Sequence, residues 1–303
     1  MRSIRGSVGV VFVVLASVVF LLSCGQGNPP GVSGFSKGVI TAKGSIFVNG
    51  VEFDLSGTSI TINGTPGTEA DLRVGMQVQV KGKIDDGSST GSAAEVEYDN
   101  SLKGRIDAIS APNLTVLGQT VITDTNTVFE SLPLGIVSLA LNDNVEVAGI
   151  PDASGQILAT RIEKTGSSTF EISGAVSSLS PTSLVLTPPN SSHPLTVTIT
   201  AGTLDAGIAN GTTVEVKFST FVNPNISTTA SNVEVKAELE PVDGDRVEVQ
   251  GFVTGLPGST FVVEGMTIDP GSLSLAGISN GTKVEVEGTF TSGILHAEKI
   301  QIK

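Results

Sequence analysis

The chain has no tryptophan, one tyrosine, one cysteine and two histidines. Exposed aromatic platforms on which sugars and bases stack, worth about 1–3 kcal/mol per base, therefore have little material beyond Tyr98, and the twelve phenylalanines read as core. With Cys24 the only cysteine, neither a disulfide nor a thiolate metal site can form within one subunit. Basic residues are scarce too: 17 Lys and Arg face 30 Asp and Glu, a formal charge of −13. A chain this acidic is repelled by phosphate backbones, so no nucleic-acid partner is expected. No window keeps a helical period, which leaves an all-β chain.

What is present begins at the N-terminus. Arg2 and Arg5 precede an apolar stretch from Val8 to Leu22, too short for a transmembrane helix, and Leu21-Leu22-Ser23-Cys24 closes it. This order is that of a secretory signal, and those four residues resemble the lipobox of bacterial lipoproteins. That resemblance implies residues 1–23 as signal peptide, lipid on Cys24, and a membrane partner reached through that lipid. More than one acyl chain would be needed for a stable anchor, at about 0.8 kcal/mol per buried methylene. Removing Arg2 and Arg5 with the signal, and no acid, would leave a mature charge of −15. Gly25 rather than aspartate after the cysteine implies passage to the outer membrane in sorting of the Gram-negative type. Residues 24–36, rich in Gly, Pro and Ser, read as a flexible tether.

The rest of the chain is one phrase written four times. A turn residue leads into Val78-x-Val80, Val145-x-Val147, Val214-x-Val216 and Val284-x-Val286. Each is followed by an alanine and then an aliphatic residue: Ala93/Val96, Ala159/Ile162, Ala230/Val233 and Ala297/Ile300. The phrases start at 75, 142, 211 and 281, and a period this regular marks a tandem repeat. The modules read as 37–99, 101–164, 169–237 and 243–303. Asn49-Gly50 between two β-branched or aromatic runs predicts a type I′ hairpin, and Ser59–Ile62, Met76–Ile84 and Ala93–Tyr98 predict further strands. A module of about sixty residues with five or six strands hides its apolar face best by curling into a small barrel. The segments before the Val-x-Val strands, such as 63–74 and 129–141, fall where an OB fold places its helix or loop. The expected fold is thus a tandem array of four small OB-like β-barrels after a signal peptide and a linker.

Gly38-x-Ile40, Val48-Asn49-Gly50-Val51, Leu72-x-Val74-Gly75-Met76-x-Val78-x-Val80-x-Gly82 and Leu114-x-Val116-Leu117-Gly118-Gln119-x-Val121 resemble the bacterial domain of unknown function 5666. The third module departs from that pattern, with Phe218 where glycine closes the phrase. The resemblance implies an OB-like barrel and an envelope location, and no activity.

The residues for chemistry are few. His193 lies in a loop by composition; His296 sits where the other modules carry Ser92, Leu158 and Thr229, so it is no part of common machinery. No catalytic residue, metal ligand or cofactor site is assigned. Asp85-Asp86-Gly87, Asp152-Ala153-Ser154-Gly155 and Asp243-Gly244-Asp245 lack the ligand spacing of a calcium loop and read as hairpin turns. Glu146, Glu215 and Glu285, central in three Val-Glu-Val strands, read as solvent-facing, with an acidic ladder for cations or a basic partner as the sharper alternative. The expectation is a non-enzymatic, lipid-anchored envelope protein acting as a repeat scaffold or interaction module. Its partner would be an unidentified protein or glycan. The alternative is a ligand-binding protein that takes an oligosaccharide, peptide or cation on an OB-like face.

Overall fold

The computed structural model describes residues 31–85, 89–222, 227–236, 238–256 and 258–303. Cys24, the signal segment, the first part of the tether, Asp86-Gly87 and the turn at Asn223-Pro224-Asn225 lie outside the described residues.

The first module contains β1 (Val32–Ala42), β2 (Ile46–Val48), β3 (Val51–Asp54), β4 (Ser59–Ile62), β5 (Thr65–Pro66), β6 (Gln77–Ile84) and β7 (Thr90–Tyr98). The second has β8 (Leu102–Ser110), β9 (Asn113–Val116), β10 (Gln119–Ile122), β11 (Val128–Glu130), β12 (Asn144–Pro151) and β13 (Ile157–Lys164). In the third are β14 (Phe170–Ser177), β15 (Ser183–Thr187), β16 (Leu195–Thr198), β17 (Thr213–Val222) and β18 (Ser227–Val235). The fourth holds β19 (Arg246–Thr254), β20 (Phe261–Val263), β21 (Met266–Asp269), β22 (Lys283–Thr291) and β23 (Ile294–Ile302).

One closure rule serves all four modules. In the first, β1 pairs antiparallel with β2 and β6, β2 with β3, and β6 with β7, while β3 lies parallel to β7 and shuts the barrel. The parallel closing pairs of the others are β10–β13, β16–β18 and β21–β23. Five strands closed in this order form an OB-like barrel, as the sequence predicts. Where an OB fold carries its helix, the first two modules have only the 3-10 turns Glu69–Asp71 and Gly135–Ser138.

The repeated phrases have a common physical cause. Val78 and Val80 point into the barrel and Gln77, Gln79 and Lys81 point out, the alternation of a strand with one apolar face. The glycine closing each phrase sits at a β-bulge directly opposite the repeated alanine: Gly82 faces Ala93, Gly149 faces Ala159 and Gly288 faces Ala297. A Cβ on Gly82 would stand 2.1 Å from the carbonyl oxygen of Ser92, so only glycine admits this approach. The third module solves the same point differently. Phe218 faces Ala230, a second register shift precedes Phe221, and the Phe218 ring packs edge-on to Phe170 at 5.8 Å.

A second glycine, on each first strand, lies beneath the turn that joins the second and third strands. Asn49 takes φ 50° and Gly50 φ 84°, the I′ turn expected from Asn-Gly. Its equivalents Leu117 and Glu264 have φ 50° and 49°. The side chains of Asn49, Leu117 and Glu264 fold over Gly38, Gly104 and Gly251, where an added Cβ would meet them at 2.1–2.6 Å.

The modules are joined by strand pairing as well as by linkers. β8 pairs antiparallel with β14 through Leu102–Ile172 and Lys103–Glu171, and the cores of the second and third modules run together. β1 pairs parallel with β19 through Gly34–Arg246 to Lys37–Val249, so the first and fourth modules share a sheet although they stand at opposite ends of the chain. This corrects the tether reading for residues 32–36. Val32–Ser36 are part of β1, held by β6 on one side, and Gly34–Ser36 also by β19 on the other. Phe35 is 2% exposed inside the core of the fourth module. Among the described residues no helix is long and apolar enough to cross a membrane.

Candidate functional site: the polar seams between modules

The face formed by the second and third strands is where OB folds bind their ligands. In this chain the central outward pair on that face is Phe47–Glu52, Thr115–Thr120, Val185–Thr196 and Val262–Thr267 in the four modules. No stacking ring, cation or carboxylate recurs at these places, so the four copies present no shared recognition chemistry there. The recurring polar residues lie elsewhere, on the outer faces of the first and fourth strands, and these faces meet one another.

The seam between the second and third modules is built on Glu171. Its position on β14 points away from the barrel, where alternation alone would put it in water, but β8 pairs beside it and buries it. Lys103 Nζ donates to Oε1 at 2.7 Å and Asn100 Nδ2 to Oε2 at 3.0 Å, so both carboxylate oxygens are satisfied. Glu215, one strand over, pairs with Lys217 at 3.1 Å, and Lys217 also bonds Glu234. Burial raises the Glu215 pKa, and its bond to Lys217 opposes that rise.

Between the first and second modules, the Tyr98 hydroxyl donates to Glu146 Oε1 at 3.2 Å, and Asn63 Nδ2 approaches the same oxygen at 3.4 Å. Burial and the Glu146 charge push the Tyr98 pKa well above the usual phenol range. Thr160 donates to the Gly75 carbonyl at 2.6 Å across the same seam. Arg161 binds Glu130 and Glu163 at 3.0 and 2.7 Å.

At the centre, a cavity of about 130 Å³ is lined from all four modules, including Gln79, Asp99, Asn100, Pro151, Lys236 and Glu264. Such a volume holds several waters or one small polar group. Lys37 reaches Glu238 at 3.6 Å and Glu264 at 3.8 Å, while Gln77 Nε2 donates to Glu264 at 3.0 Å. Lys236 lies 3.7 Å from Asp99. Burial would lower the Lys37 pKa, but Glu264 and Glu238 outweigh it and the net shift is upward. For Glu264 and Asp99 burial dominates and raises the pKa, against Lys37 and Lys236 respectively.

The seam between the fourth and first modules carries Glu248, Glu285 and Glu287. Lys303 binds Glu285 at 3.0 Å; Glu287 takes Lys299 and, at 3.7 Å, Arg246. Asn49 Nδ2 lies 3.0–3.2 Å from Ser36 Oγ and the backbone carbonyls of Lys37 and Glu248, which ties the first module's hairpin turn to β19. Burial, then the Glu287 charge, pushes the Glu248 pKa up to about 7.

These seams correct the solvent-facing reading of the Val-Glu-Val acids. Glu215 is 7% exposed and Glu285 5%, and Glu146 is half-buried. Among the described residues no group of three or more His, Cys, Asp or Glu side chains is placed to hold an ion. Asp152 accepts from the Ser154 and Gln156 amides, and Asp245 from the Val242 amide, as turn residues do. Both histidines are exposed. His193 is in the β15–β16 loop, and His296 on β23 contacts Asp269 at 3.2 Å on the surface of the fourth module.

Sequence reasoning missed Glu171, Glu248, Glu264, Lys37 and Lys103. The available signal was a charged residue in an outward position next to a linker of a few residues, but alternation does not say which surface lies opposite.

The strand order, the four copies and the shared seams define a tandem OB-like barrel protein. The model of the domain of unknown function DUF5666 matches residues 37–97, 103–163 and 250–301, more than half of the chain, and the chain belongs to that family. The third module, the one with Phe218, lies outside the matched segments. No curated protein matches the chain. Among solved structures, cold-shock domains 4–6 of Drosophila Unr are 18% identical, with 57% of this chain and 84% of that chain covered and a TM-score of 0.20. A multidomain protein with nucleic-acid-binding domains from Streptococcus pneumoniae is 11% identical over 69% of this chain and 75% of its own, with a TM-score of 0.18. At these scores the whole chains do not superpose, and the OB-like character rests on the strand order.

Proposed function

We propose that this protein is a non-enzymatic interaction scaffold of the bacterial cell envelope. In this reading lipid on Cys24 holds it at the outer membrane, and it presents four barrels locked into one block to a protein or glycan partner. The observation that carries the scaffold is the use of the charged outer strand faces against one another, as in Lys103–Glu171 and the Lys37 pairs with Glu238 and Glu264. Residues spent on module seams are not free for catalysis. A block with parallel pairing between its first and last modules also holds its surfaces in fixed relative positions, as a display scaffold requires. The anchor is supported by Arg2 and Arg5, the apolar stretch from Val8 to Leu22 and the Leu21-Leu22-Ser23-Cys24 pattern that closes it.

Fractionation of cells expressing Cys24→Ala tests the tether. The wild type is expected in the membrane fraction and the variant in the soluble fraction; a variant that stayed with the membrane would remove the anchor from the reading. Affinity capture from solubilised envelopes, with the intact chain as bait, tests the scaffold.

A further inference from the structure

Glu171 and Glu248 hold the same place in consecutive modules, three residues before the first-strand glycines Gly174 and Gly251. Each faces the strand of a neighbouring module, yet their partners differ. Around Glu171, Lys103 on β8 and Asn100 in the linker before it supply an ammonium and an amide to the two carboxylate oxygens. Around Glu248 the neighbour is β1, which runs parallel and brings Ser36 alongside. The amide of Asn49 is spent on backbone carbonyls and on Ser36. Lys299, Lys303 and Arg246 line the same groove and bond Glu287 and Glu285; Arg246 and Lys299 act on Glu248 through their charge but do not hydrogen-bond its Oε2. Glu248 is 4% exposed, and its Oε2 has no hydrogen-bond partner among the described residues. The Nε of Arg246 is likewise buried without an acceptor. Both residues line a groove of about 420 Å³ between the first module's hairpin turn and strands β19, β22 and β23.

A buried carboxylate oxygen without a donor is costly, and it favours a ligand that brings a matching donor. The donor set at the equivalent place in the third module shows what matches: a primary ammonium on an alkyl chain, bonded at 2.7 Å. We propose that the groove between the fourth and first modules is a binding site for a primary alkylammonium, the lysine side chain of a partner chain or a free alkyl diamine, with Glu248 as its anion. The groove has room for the alkyl stem, and the Arg246 Nε–H offers a donor to a carbonyl or other acceptor beside the amine. The proposal does not depend on the membrane tether.

The test is a titration of the purified full-length chain, with ¹³C-labelled glutamate carboxyls, against three probes. They are Nα-acetyl-lysine N-methylamide, 1,5-diaminopentane, and Nα-acetyl-norleucine N-methylamide, which lacks the amine. Saturable one-to-one binding of an amine, a downward displacement of the Glu248 carboxyl midpoint on saturation, and at least tenfold weaker binding to Glu248→Gln are expected. The norleucine probe should not bind. Tighter binding of the lysine amide identifies a partner-chain lysine, and tighter binding of the diamine a free amine. Failure of both amines to bind, equal binding of the norleucine probe, or undiminished binding to Glu248→Gln would overturn the proposal. Should that variant not fold, the Glu248 carboxyl titration on the wild type decides by itself, since an unmoved midpoint sinks the site.

Discussion

Phe35 lies opposite Val247 in the parallel pairing of β1 with β19, and its ring is buried in the core of the fourth module rather than the first. A residue from the beginning of the barrel array therefore completes the barrel at its end. This makes the four modules mutually dependent in a way that a string of independent beads would not be.

The Phe35→Ala substitution should cost about 3–5 kcal/mol, the usual range for removing a buried aromatic ring. The loss should appear first in the fourth module. Hydrogen exchange followed by peptide should speed up across β19 and β22, while β9 and β10 in the second module keep their protection. Uniform loss of protection would mean that the block unfolds as one cooperative unit.

The Lys103–Glu171 pair joins the buried Glu171 carboxylate to the half-buried Lys103, so deleting the lysine leaves one carboxylate oxygen without its donor. Lys103→Ala is expected to lower stability by about 1–3 kcal/mol, and Glu171→Gln in that background should recover part of it. A double-mutant cycle by urea denaturation measures the coupling; a value near zero would mean that Asn100 alone supports Glu171.

The pH dependence of stability follows from Glu248. Its carboxyl titrates at about 7 in the folded protein against an ordinary value of 4.5, so between these the unfolded chain loses the proton and the folded chain keeps it. Its contribution is complete below about pH 4.5, falls as pH rises toward 7, and stays lost above. The full change is on the order of 3 kcal/mol for a carboxyl pushed up to about 7. Glu248→Gln should remove its share of that slope, the rest coming from carboxyls such as Glu215 and Glu264 that burial also raises, and should melt higher than wild type at pH 8, a comparison that thermal unfolding at pH 5 and pH 8 makes directly.

Gly104→Ala examines the turn that folds over the first strand. The new Cβ would meet Leu117 side-chain atoms at 2.4–2.7 Å, and Leu117 is fully buried with φ 50°, so it has little freedom to withdraw. Overpacking of this kind costs about 1–3 kcal/mol, read as a lowered midpoint of unfolding. Gly166→Ala, with open space around the site, is the neutral control.

Much of the architecture was legible from residue order because it depends on contacts within one module. The valine alternation, the Asn49-Gly50 turn and the glycine–alanine bulge are local, or join strands that are consecutive in the chain. The site was not legible in the same way. Alternation sends Glu146, Glu215 and Glu285 to the outside of their own barrels, and from there the natural expectation was water; Glu171 and Glu248 were not singled out at all. Tether composition misled at Val32–Ser36 for a related reason: a Gly- and Ser-containing stretch forms strand when two neighbours offer it hydrogen bonds.

By itself the sequence determined four copies, five or six strands in each, and the valines that face each core, since these follow from periodicity and from the steric needs of turns. Only the tertiary structure decided which outer faces become interior. That choice rests on pairings such as Asn49 with the Glu248 carbonyl, 199 residues apart. It turned Glu171 into a satisfied buried ion and left Glu248, at the same place in the next copy, short of a donor. Identical positions in a repeat share their inward surroundings because each barrel supplies its own core; their outward surroundings differ because each has a different neighbour.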